Sequence, residues 1–180
     1  MRHAFFVLVL CASPAFADPC VSGLQQGQRP GPYSFLVATG PERGQQTCYV
    51  CATADKPAIA IFARKLSDPL SKLIVKCDDF VLGQPKDSTK AWTTILGEKT
   101  ASLDDLTKWA KQAGIKSTPV GVFDDPIGPP SYKLHNDAEV TVLLWVNRKV
   151  VASFAFRAGE LDEDAIKKIV TAIPKLVEKK

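Results

Sequence analysis

The chain has 180 residues, 46% hydrophobic and 23% charged, the composition of an ordinary globular domain. That length buries a full core without needing staples. Its formal charge of +4 is too small a surplus to argue for nucleic acid or an anionic membrane as a partner.

The chain opens on a leader pattern. Arg2 and His3 form a short basic region, Ala4 to Leu10 an apolar run, and Ala15-Phe16-Ala17 places small residues before a cleavage point. A secretory signal peptide over residues 1–17, cut after Ala17, is expected. The apolar run is far shorter than the ~20 residues that span a bilayer, and no later stretch is long and apolar enough. The expected location is extracytoplasmic, periplasmic or secreted, where disulfides persist, with no stable membrane association. Removing the leader takes Arg2, His3 and Cys11. It leaves one histidine, His135, and four cysteines, Cys20, Cys48, Cys51 and Cys77. A single histidine excludes H-E-x-x-H metal sites and points to sulfur as the reagent for any chemistry.

Residues 18–32 are rich in Gly, Pro and Gln and read as an extended lead-in. A domain over 33–176 and a basic tail at 177–180 are expected to follow. Tyr33–Ala38 reads as a short strand before the turn 39–44. Thr47–Ala54, rich in β-branched and small residues, suits a second strand. Ala58–Ala63 is an unbroken apolar run, the mark of a buried central strand. Ser67 then caps a helix with Pro69 in its first turn. Its stripe is Leu70, Leu73, Ile74, Cys77 and Val81. Ala91–Leu96 is a strand. Ser102 caps the next helix, with Asp105 three residues on, and Gly114 ends it. Pro119–Phe123 is a strand, and 124–136 an irregular insertion. Val140–Val146 and Val150–Phe156 form a hairpin about Asn147-Arg148-Lys149. A last helix carries Leu161, Ala165, Ile166, Ile169, Val170 and Ile173.

A helix between two strands makes those strands parallel, and a hairpin adds antiparallel ones. The expected class is α/β: a mixed sheet with helices on both faces and an N-terminal β extension. That order, with Ala58-Ile-Ala-Ile-Phe-Ala63, Val140-Thr-Val-Leu-Leu-Trp-Val146, Gly159-Glu-Leu161 and Pro119-Val-Gly-Val-Phe-Asp-Asp125, resembles the thioredoxin-like superfamily, in its redoxin and peroxiredoxin branch. The resemblance covers roughly residues 33–175. Such proteins carry C-x-P-C where the first core strand meets its helix. Here the junction reads Ser67-Asp68-Pro69-Leu70, with no thiol to activate. The peroxidatic cysteine expected near this junction is missing too, which disfavours peroxidase activity. The position of the family's cis-proline holds Val140.

Cys48-Tyr49-Val50-Cys51 keeps a redox spacing, and in such a fold it suggests dithiol–disulfide exchange with a protein partner and no bound cofactor. Family habit makes Cys48 the more exposed, attacking thiol and Cys51 the resolving one. In a regular strand, three residues span about 10 Å, whereas a disulfide needs Cα atoms within about 7 Å. A bond between them therefore requires a turn, bulge or helical start. Three alternatives stay open: a structural disulfide joining one of them to Cys20, a metal site with Cys20 as third ligand, and free thiols. A non-catalytic binding or scaffold module is the competing function. Cys77 reads as a core residue and His135 as a solvated one. Arg64 reads as a surface arginine, with anion binding at the next helix start as its alternative, and Arg157 is similar. Asp124-Asp125-Pro126 reads as turn chemistry. Lys167, Lys168, Lys175, Lys179 and Lys180 read as a solvated face and tail, and Trp92, Trp109 and Trp145 as core or core edge.

Overall fold

The apolar run at 58–63 forms a strand with all six residues buried, because it lies between two others and is covered on both faces. The computed structural model describes residues 18–97 and 101–177. The expected leader and the tail residues Lys179 and Lys180 lie outside them. In chain order the elements are β1 (Phe35–Val37), β2 (Gln46–Thr47), α1 (Tyr49–Thr53), β3 (Ala58–Ala63), α2 (Asp68–Leu82) and β4 (Lys90–Leu96). They continue with α3 (Leu103–Ala113), β5 (Val120–Phe123), β6 (Val140–Val146), β7 (Lys149–Phe156) and α4 (Glu163–Ala172).

The strands make one sheet in the order β2-β1-β5-β4-β3-β6-β7. β3, β4 and β5 run parallel, while β1, β2, β6 and β7 pair antiparallel with their neighbours. The mixed sheet and its N-terminal β extension are as expected. Asn147 and Arg148, both at positive φ, form the tight turn that suits the twist of a two-residue hairpin. At Gly121 the close approach of β1 demands glycine: an added Cβ would lie 2.3 Å from the Leu36 carbonyl oxygen.

The β3-α2-β4 and β4-α3-β5 crossovers step the same way across the sheet. Their shared handedness therefore sets α2 and α3 on one face. α4 joins them over Ile59, Ile61, Val142 and Leu144, with Leu70, Leu73, Ile74, Leu106, Ile166 and Ile169 facing down. The other face carries Ala60, Phe62, Trp92, Leu143 and Trp145. Tyr49 of α1, Leu24 and Tyr33 of the lead-in, and Tyr132 of a 3-10 turn at Pro130–Tyr132 cover it.

The lead-in is pinned. Gly27 N–H donates to Val150 O at 2.8 Å and Val150 N–H to Gln28 O at 2.9 Å. The Ser22 hydroxyl meets that of Thr141 at 2.7 Å.

The expected strand over 47–54 is corrected. β2 stops at Thr47, and the chain turns at Cys48 into the five-residue α1. The cause is tertiary. Tyr49 is buried against Phe35 and Trp92, which pulls the chain off the sheet edge and over its second face. Propensity for β structure loses to that burial.

Candidate functional site

The helical start at Cys48 solves the geometric problem of a C-x-x-C pair. Helix rise is about 1.5 Å per residue, less than half that of a strand, so residues three apart come together. Cys48 and Cys51 are joined by a disulfide with Cα atoms 5.4 Å apart. Cys48 is the N-cap of α1, and the Cys51 backbone N–H donates to its Sγ at 3.2 Å. A sulfur here does what a Ser or Asp oxygen does at other helix starts.

Tyr49 fixes the rotation of α1. Its ring contacts Phe35 and Trp92, its hydroxyl donates to Glu42 Oε2 at 3.3 Å, and Lys90 Nζ lies 5.9 Å from the ring centroid. Burial, with the Glu42 carboxylate beside it, raises the Tyr49 pKa above the ordinary tyrosine range. Thr53, one turn on, is buried too, and its hydroxyl donates to the Tyr49 carbonyl. With Tyr49 and Thr53 inward, Cys51 falls about 200° around the helix from Tyr49. Cys51 and Ala52 are exposed, whereas Cys48 is half-buried. Family habit made Cys48 the more exposed sulfur; the phase of α1 reverses that order.

Cys20 and Cys77 are free thiols, so the bond joins the C-x-x-C pair to itself and not to Cys20. Cys20 lies near Arg157, Glu160 and Asp137, and partial burial, opposed by Arg157, raises its pKa. The neighbouring Ser22 contacts Thr141 at one end of β6. Asp55, two residues past the end of α1, accepts at its carbonyl from Asn147 N–H at the other end, roughly 20 Å away along the strand. Cys77 is fully buried on the α2 stripe, as expected, and burial beside Asp78 pushes its thiol up to about 12.

The Ser67–Leu70 junction is closed. Ser67 caps α2 by accepting from Leu70 N–H at 3.3 Å, and Leu70 is wholly buried. Arg64 corrects the surface and anion readings. Its guanidinium donates to the carbonyls of Ala138 at 3.0 Å, His135 at 3.2 Å and Pro126, stitching the 124–136 insertion to the end of β3. Desolvation lowers its pKa from the usual arginine value. Arg157 holds the lead-in through Asp18 O at 2.9 Å. The His135 side chain is 61% exposed, as a solvated histidine should be. Asp125 accepts from Ile127 N–H at 2.8 Å, the turn chemistry expected of it. Trp92 and Trp145 are buried core residues and Trp109 is core edge.

One residue outside the sequence reading organises this end of the molecule. The Asp78 carboxylate, 1% exposed, accepts from the backbone N–H groups of Lys116, Ser117 and Thr118 and from the Ser117 hydroxyl, at 2.6–2.9 Å. Burial alone would raise its pKa; these bonds outweigh it and hold the carboxyl below the usual value. The available signal was its place four residues after Ile74, on the apolar stripe of α2.

No family model matches the chain, and no curated protein matches it. Solved structures do. A candidate protein disulfide isomerase from Bacteroides thetaiotaomicron is 14% identical with a TM-score of 0.66, over 88% of this chain and 94% of that one. A candidate thiol:disulfide interchange protein, DsbE, from Chlorobium tepidum is 17% identical with a TM-score of 0.57, over 83% and 99%. The peroxidoxin BcpB of Mycobacterium tuberculosis is 14% identical with a TM-score of 0.61, over 87% and 99%. The fold is thus thioredoxin-like, as the sequence resemblance implied.

Proposed function

We propose that this chain is an exported thiol–disulfide exchange protein whose working group is Cys48 and Cys51. The observation that carries the reading is a disulfide at a helix start whose second cysteine is an exposed residue. Exchange needs a thiolate to reach a disulfide sulfur and a leaving sulfur stabilised as it departs. Cys51, the exposed residue of the pair, supplies the sulfur that is attacked, and the Cys51 N–H on Cys48 Sγ stabilises the leaving one. The partner is a protein thiol or disulfide, and electrons pass through it with no bound cofactor. The solved neighbours with thiol:disulfide names lend the reading support at the level of fold. Peroxidase activity is disfavoured, because Ser67 and Leu70 stand where such a fold would place its reactive sulfur.

Export rests on the leader pattern at 1–17 and on a disulfide of the kind an oxidising compartment preserves. Intact-mass measurement of protein purified from the source cell tests it: a chain beginning at Asp18 supports export, and a retained leader contradicts it.

The direct test of exchange is reduction of insulin by dithiothreitol with catalytic amounts of the protein. The wild-type chain accelerates it, and Cys48→Ser and Cys51→Ser each return it to the uncatalysed rate. A second reading, a non-catalytic binding or scaffold module, is favoured by the thiol-free junction at Ser67–Leu70. Wild-type protein with no acceleration would select it.

A further inference from the structure

We infer that Cys51, the second cysteine of the pair, is the sulfur that bonds to the partner, and that Cys48 is the leaving and resolving sulfur. The inference rests on the exchange reading above and inverts the order that family habit assigns. Three observations carry it. Tyr49 and Thr53 are buried, which turns Cys51 to the solvent side of α1. Cys48 is half-buried at the end of β2, with the following residue locked into the aromatic face through Phe35 and Trp92. The Cys51 N–H points at Cys48 Sγ, 3.2 Å away, so a hydrogen-bond donor waits where thiolate charge would develop on Cys48.

A partner thiolate attacks Cys51 Sγ, the partner–Cys51 S–S bond forms, and the Cys48–Cys51 bond breaks. Its electron pair stays on Cys48, which becomes a thiolate and then takes up a proton. A second partner thiolate attacks the partner's own sulfur in the mixed disulfide, releasing the Cys51 thiolate, which is protonated in turn. The partner is oxidised to a disulfide and this chain is reduced to a dithiol. In reverse, the Cys51 thiolate opens a partner disulfide and Cys48 resolves the intermediate.

The test uses the oxidised full-length chain and a cysteine-containing peptide at equal concentration. The mixture is quenched in acid, free thiols are alkylated, and tandem mass spectrometry reads which sulfur carries the peptide. The peptide should lie on Cys51 and the alkyl group on Cys48, in at least about tenfold excess over the reverse, or about 1.4 kcal/mol in barrier. A peptide mainly on Cys48, or an even split, overturns the inference and leaves exchange intact. A disulfide that survives excess dithiothreitol overturns both. A second measurement guards against a short-lived adduct: with a peptide disulfide, Cys48→Ser should accumulate the mixed disulfide faster than Cys51→Ser. Equal rates, or the opposite order, contradict the inference.

Discussion

Two helix starts in this molecule share one geometry and differ in everything else. At Cys48–Cys51 and at Ser67–Leu70, a residue in extended conformation accepts from the N–H three residues on, at 3.2 Å and 3.3 Å. At α2 the fourth residue, Leu70, is wholly buried, the helix runs fifteen residues, and Arg64 ties the neighbouring loop shut. At α1 the fourth residue is an exposed cysteine on a five-residue helix. The same cap serves stability in one place and, on the proposed function, reactivity in the other. What decides is which way the helix phase turns the fourth residue, and how much structure holds the helix down.

The largest expected effect tests the stable member of the pair. Asp78→Ala removes the acceptor for three backbone N–H groups and one hydroxyl. It should cost about 3 kcal/mol, a fall in Tm of roughly 9 °C for a domain of this size. Insulin reduction at permissive temperature should be unchanged. Because the folded-state pKa of Asp78 is lowered, its contribution is fully present above the unfolded value of about 3.9. It is lost as pH falls through the folded pKa. Urea melts from pH 6 to pH 2 should show that acid loss in the wild type and a smaller one in Asp78→Asn.

Tyr49→Ala probes the other member. Loss of the buried ring should cost about 3 kcal/mol. Unlike Asp78→Ala, it should also change the ease with which the disulfide is reduced, because α1 loses its anchor. An unchanged potential in that variant would show that the core does not set the pair's geometry.

A smaller effect follows from the bond itself. Closing a loop of about four residues by a disulfide stabilises by about 2 kcal/mol in the chain-entropy account. Reduction should lower stability by that amount. Amide exchange should rise over residues 49–53, since so short a helix does not persist alone, and stay flat over α2. The smallest effect is at the other cap: Ser67→Ala should cost about 1 kcal/mol without altering exchange.

The sheet was legible because its signals are local. Ala58–Ala63 has an unbroken apolar run, Ser67 and Ser102 are plain caps, and the 140–156 hairpin is two largely apolar runs about a polar turn. The same locality hid α1. Thr47, Tyr49 and Val50 carry β propensity, and only the distant partners Phe35 and Trp92 explain why the chain leaves the sheet there. Asp78 was hidden for a related reason, since its four donors lie nearly forty residues away. The pair's spacing was visible, and so was the need for a helical start if it bonds. The exposure of each sulfur depends on the helix phase, which Tyr49 sets through contacts the sequence order does not display.

On the proposed function, this disulfide is made to be exchanged. Equilibration in glutathione redox buffers, with alkylation and mass spectrometry at each point, measures it most directly. Cys48 and Cys51 should be freed together at a potential of roughly −270 to −180 mV, the range of exchange proteins, while Cys20 and Cys77 stay outside the bond. A potential below about −300 mV, where structural disulfides lie, or a bond found to include Cys20, would contradict it.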